Sequence, residues 1–128
     1  MLAQDSGEIL PPLVDDQRRA PRKRVYVRGK IVYGGSGEYS LDCMINDLSS
    51  TGAKITLNKN EFIPKHFYLI DLQASTAYEA VVMWIKVRDA QTKFGLSFTR
   101  AHHLAHLSNP KLQFLKHLAL KDRRTHRR

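Results

Sequence analysis

From Val25 to Phe98 the apolar residues of this chain return at every second position, segment after segment, and that period leaves few folds open. Val25, Val27, Ile31 and Tyr33 share one parity. Gly34-Gly35-Ser36-Gly37 then offers a turn, because glycine reaches the positive φ that tight hairpins require. Tyr39, Leu41, Cys43 and Ile45 resume the alternation, which predicts a hairpin. Ala53, Ile55 and Leu57 alternate with Lys54, Thr56 and Asn58 to give a third strand. Past Pro64, the segments Phe67–Leu72, Tyr78–Val87 and Phe94–Phe98 are rich in aromatic and β-branched residues and predict three more. No helical period is interleaved among these segments, so an all-β core, a small antiparallel barrel or sandwich, is expected rather than an α/β sheet. Ser108-Asn109 can cap a helix with Pro110 at its first position, and Leu112, Leu115, Leu118 and Ala119 then share one face. One C-terminal helix, about residues 109–120, should therefore pack on the sheet.

Charge divides the chain further. Residues 1–17 hold Asp5, Glu8, Asp15 and Asp16 and no Lys or Arg, whereas Arg18 to Lys30 holds seven basic residues and no acidic one. The expected organisation is a flexible acidic leader over 1–17, a domain over 18–120 with its barrel at 25–99, and a frayed basic tail over 121–128. Across the 128 residues, 21 Lys and Arg stand against 12 Asp and Glu, a net charge of +9 that favours an anionic partner. Cys43 is the only cysteine, so no intrachain disulfide can form and a reducing, cytoplasmic setting is expected. Met1 to Val14 lacks the layout of a signal peptide, and the longest apolar run, Ala80 to Ile85, is too short to insert in a membrane.

Two short elements carry ligand chemistry. Arg18 and Arg22 form an Arg-x-x-x-Arg pair ahead of the first strand, and Pro21 holds Ala20 extended so that the pair does not continue as a helix. Guanidinium presents a planar fork of donors to phosphate oxygens or to guanine O6 and N7, and its face stacks on a base. Asp47-Leu48-Ser49-Ser50-Thr51-Gly52 follows the second strand. A carboxylate at Asp47 can accept from a guanine edge, Ser49 can donate to a phosphate or brace the loop, and Gly52 can enter left-handed space. Taken singly, an arginine run is a solvated surface and Asp, Ser and Gly are ordinary turn residues.

Together, in this order and joined by a predicted hairpin, the two elements resemble the PilZ family, which is marked by Arg-x-x-x-Arg before the barrel and Asp/Asn-x-Ser-x-x-Gly after its second strand. Ala80-Val81-Val82-Met83-Trp84 and Phe94-Gly95-Leu96-Ser97-Phe98 look like the family's last two strands, so the likeness runs from about Gln17 to Phe98. It implies a six-stranded antiparallel barrel with a C-terminal α-helix that binds cyclic di-GMP through Arg18, Arg22, Asp47, Ser49 and Gly52. Arg19, Lys23 and Trp84 are secondary candidates. Gln17 stands where many members carry a further arginine, which bears on whether one or two ligands are held. The resemblance also implies a non-enzymatic receptor whose Arg segment orders on the ligand and which signals to an effector protein in trans.

The remaining chemistry-bearing residues suggest less. Trp84 sits on an alternating strand, where an indole is more often core than ligand platform. No Cys or carboxylate completes a ligand set around His102, His103 and His106, so no metal and no cofactor is expected. Asp71 and Glu79 lack a partnered nucleophile, and no catalysis is expected. Two other readings remain: a basic barrel binding single-stranded nucleic acid, and a PilZ scaffold blind to ligand. Against the first, Tyr33, Phe67, Phe94 and Phe98 fall on inward parities; against the second, the motif residues are intact.

Overall fold

The computed structural model describes residues 23–58 and 61–126, with side chains described for 24–58 and 61–120. Six antiparallel strands close into a barrel: β1 (Lys23–Tyr33), β2 (Tyr39–Leu48), β3 (Gly52–Leu57), β4 (His66–Asp71), β5 (Thr76–Arg88) and β6 (Gln91–His103), in the order β1-β2-β3-β6-β5-β4. The turns use the residues their geometry requires. Gly34 and Gly37 take φ of +95° and +77° between β1 and β2. After β4, Asp71 Oδ1 accepts from the N–H groups of Gln73 and Ala74, both at 3.0 Å, and so closes an Asx turn. Between β5 and β6, Asp89 takes φ +54°, a value that aspartate tolerates better than most residues.

Alternation sorts the core as the period-two pattern requires. Ile31, Ile45, Ile55, Leu57 and Leu69 point into the barrel and are fully buried, with Phe67 and Phe94 beside them. Residues of the opposite parity on β1 and β4 are buried too. Val32 and Ile70 face away from the barrel interior and meet Leu104, Leu115 and Ala119 in a second core. The C-terminal helix supplies that cover. Pro110–Leu112 forms a 3₁₀ turn, capped by Asn109 Oδ1 accepting from Lys111 N at 2.9 Å, and α1 (Gln113–His126) continues from it. Tyr68 meets Phe114 edge to face at 6.0 Å, and Phe114 also lies where a Cβ on Gly37 would stand, so the helix is seated against the first hairpin.

Element ends differ from those expected. β5 and β6 run to Arg88 and His103, because each supports the other beyond the barrel wall. The α-helix proper begins at Gln113 rather than 109, and it passes the expected end near 120 to reach His126. The barrel likewise begins at Lys23 and ends at His103 rather than spanning 25–99.

Candidate ligand-binding site

The Asp47–Gly52 loop is held from within by one hydroxyl. Ser49 Oγ accepts from the backbone N–H groups of Thr51 and Gly52, both at 3.2 Å, and lies 3.2 Å from Thr51 Oγ1. Ser49 N donates to Gly52 O at 2.9 Å, and Phe98 N donates to Thr51 O at 2.8 Å, which ties the loop to β6. Ser49 is itself buried, so of the two roles the sequence offers it, the structure shows the brace.

Gly52 is required for a different reason than the one expected. Among the described residues the positive-φ glycines are Gly34 and Gly37, and Gly52 is not one of them. A Cβ at Gly52 would instead collide with the carbonyl oxygen of Leu96, because β3 passes very close to β6 there.

Asp47 stands at the end of β2, with its side chain 17 % exposed and Oδ2 3.8 Å from Lys54 Nζ. That distance is too long for a hydrogen bond, so the pair is a Coulombic one that leaves the carboxylate acceptor capacity. The register carries the arrangement further. Arg24 on β1 is opposite Asp47, Asp47 is opposite Lys54 on β3, Lys54 is opposite Gly95 on β6, and Gly95 is opposite Trp84 on β5. At about 4.8 Å per strand, this single row extends roughly 19 Å around the barrel.

Three of its strands carry an irregularity at that row. Register shifts fall between Arg24 and Val27, between Ile45 and Asp47, and between Val82 and Trp84. A bulge places two residues against one and re-aims the side chains beside it, and bulges gather next to binding sites. The third reverses the facing of Trp84. Alternation places Trp84 in the core, yet it is 42 % exposed, because the extra residue after Val82 turns the indole to the outside. There it covers Gly95, where a Cβ would meet the Nε1 edge of the ring.

The structure thus brings Asp47 and Trp84 onto one row, with Ser49 and Gly52 in the adjoining loop. Arg18, Arg19 and Arg22 lie outside the described residues. Lys23 opens β1 opposite Leu48, one step from the row. Sequence reasoning did not single out Arg24 and Lys54, since only the register aligns them with Asp47. Among the described residues, His102 pairs with Glu79 at 2.8 Å and no group of three His, Cys, Asp or Glu could hold a metal. Also among them, no helix is long and apolar enough to cross a membrane.

No curated protein sequence matches the chain. Among solved structures it is similar to the inhibitor of motility MotI/DgrA of Bacillus subtilis, at 16 % identity and TM-score 0.55, over 88 % of this chain and 54 % of that one. The chain therefore spans about half the length of the Bacillus protein. It is also similar to the PilZ domain of YcgR from Escherichia coli, solved with c-di-GMP, at 14 % identity and TM-score 0.54, over 88 % of this chain and 95 % of that one. These likenesses carry the fold. The family model for the PilZ domain matches residues 16–108, a span that takes in both motifs and the whole barrel, and on that match the chain belongs to the PilZ family.

Proposed function

We propose that this chain is a receptor for cyclic di-GMP that signals to an effector protein in trans. The observation that carries this reading is the bulged row from Arg24 to Trp84, with the braced Asp47–Gly52 loop at one end. It is supported by the family and by the ligand of the YcgR domain. Asp47 accepts from the N1 and N2 donors of a guanine, while Lys54 and Arg24 supply positive charge beside it. Ser49 and Gly52 hold the loop that sets Asp47 in place. Arg18 and Arg22 engage phosphate and stack on a base, with Arg19 and Lys23 as lesser contributors. Trp84 offers a stacking face at the far end of the row. Ordering of residues 17–22, ahead of β1, on the ligand changes the surface offered to the effector.

Calorimetric titration with cyclic di-GMP, run beside GMP and a short oligonucleotide, tests this. Binding in the micromolar range or tighter is expected, weaker by roughly tenfold or more in Arg22→Ala and in Asp47→Ala, each of which removes charge-assisted contacts worth about 1.5–3 kcal/mol. No heat at about 100 µM ligand overturns the receptor reading, and equal competition by the oligonucleotide identifies a general polyanion binder.

A further inference from the structure

The barrel is closed, but one of its strands outruns its neighbour. β4 pairs with β5 only from Thr76 to Val81, and a last bond runs from Val82 N to Lys65 O. β5 continues to Arg88 with β6 along its other side. Among the described residues, nothing pairs with Met83 to Arg88 on the β4 side, so six residues present an open strand edge. Such edges template pairing with another strand. This one is also apolar. Met83, Trp84, Ile85 and Val87 are 65 %, 42 %, 56 % and 62 % exposed, and Phe62, 85 % exposed, shares a shallow groove with the first three.

We infer that this edge pairs with the same edge of a second copy, forming an antiparallel, two-fold symmetric dimer. In such a pair one residue must face itself across the axis. A centre at Lys86 sets like charges directly opposite, and one at Val87 sets Lys86 against Arg88. A centre at Trp84 requires Val82, which is already bonded to Lys65. A centre at Ile85 avoids the like charges and pairs five residues, Met83 to Val87, leaving only Arg88 opposite the bonded Val82. Ile85 meets Ile85, Met83 meets Val87 of the second copy, and each Trp84 meets a Lys86 ammonium, a favourable cation–π pair.

The area fits a reversible dimer. Aromatic side chains offer roughly 150–250 Å² each, so the exposed parts of these five residues amount to roughly 600 Å² per copy, or about 1,200 Å² in all, the low end of specific interfaces. The apolar stretch Ile9 to Val14 within the acidic leader is a poorer occupant, because Pro11 and Pro12 lack the N–H groups that a strand must donate. The edge shares Trp84 with the Asp47 row, so the association is read without any nucleotide present.

Sedimentation equilibrium of the full chain from about 10 µM to 1 mM reads the association. The expected result is a monomer–dimer equilibrium that tightens with added salt, since each copy carries +9. Ile85→Lys puts two charges on the axis and should raise the dissociation constant at least about tenfold. Val87→Glu should also weaken the dimer, and adding Met83→Lys to it should restore association, because position 83 faces position 87 only in this register. A chain that stays monomeric at about 1 mM overturns the inference. So does a dimer indifferent to Ile85→Lys, a double variant no better than Val87→Glu alone, or a dimer that appears only when residues 1–17 are removed, which would make the leader the occupant.

Discussion

The indole of Trp84 fills the space above Gly95 that any side chain at that position would need. The two residues are register partners on β5 and β6, so the larger side chain is accommodated by the absence of the smaller one. Gly95→Ala should therefore displace the indole. Trp84 is the only tryptophan, and its emission should shift to the red as the ring moves into water. The indole is partly exposed and can swing away, so stability should change by less than about 1 kcal/mol. Unchanged emission would show that Gly95 does not position Trp84.

Gly52 poses the opposite case, because its hypothetical Cβ meets backbone rather than a mobile side chain. Gly52→Ala must part β3 from β6 and should cost about 1–3 kcal/mol. Ser49→Ala should cost a similar 1–3 kcal/mol, roughly, by leaving the N–H groups of Thr51 and Gly52 without their acceptor. Urea midpoints at constant m read both values. A loss below about 0.5 kcal/mol in Ser49→Ala would refute the brace.

Leu115 is fully buried between α1 and the outer face of the barrel, whereas Leu120 is 54 % exposed on the same helix. Leu115→Ala should lower stability by about 2–5 kcal/mol. Leu120→Ala should fall within about 0.5 kcal/mol of the parent. Equal effects in thermal or denaturant unfolding would contradict the docking of α1.

Cys43 predicts an alkaline dependence. Burial, with a smaller push from Asp42, raises its thiol from 9.0 to about 12. Between those values the unfolded chain releases a proton that the folded chain keeps. The stabilisation is thus complete below pH 9 and is lost as pH rises towards 12, with a slope of at most about 1.4 kcal/mol per unit. Burial also raises the hydroxyls of Tyr68 and Tyr78, which adds a decline of the same sign above their usual range. Cys43→Ala should flatten the loss that begins near pH 9. Native Cys43 should resist thiol reagents at neutral pH until the barrel opens.

Much of the fold could be read from the chain directly. Alternation at Val25 to Tyr33, Ala53 to Leu57 and Phe94 to Phe98 identifies strands because a strand's side chains alternate whatever its neighbours do. Gly34 and Gly37 identify the first hairpin because glycine takes their positive φ at little steric cost. Pro110 marks the start of the terminal helix because it needs no N–H partner there. The motif residues Asp47, Ser49 and Gly52 were legible as a set, through the resemblance they carry.

What each of them does was not. Gly52 proves necessary because β3 passes close to the Leu96 carbonyl, and Ser49 because its hydroxyl gathers two N–H groups of its own loop. Those facts depend on pairings between strands far apart in the chain. The same holds for the row joining Arg24, Asp47, Lys54 and Trp84, and for the open edge from Met83 to Arg88. Strands, turns and motif follow from local backbone preference and side-chain period, which each segment carries within it. Which strand lies beside which, where a bulge turns Trp84 outward and which strand outlasts its neighbour are properties of the assembled barrel. Register and bulges arise from the closure of the whole sheet, and no local segment of sequence encodes them alone.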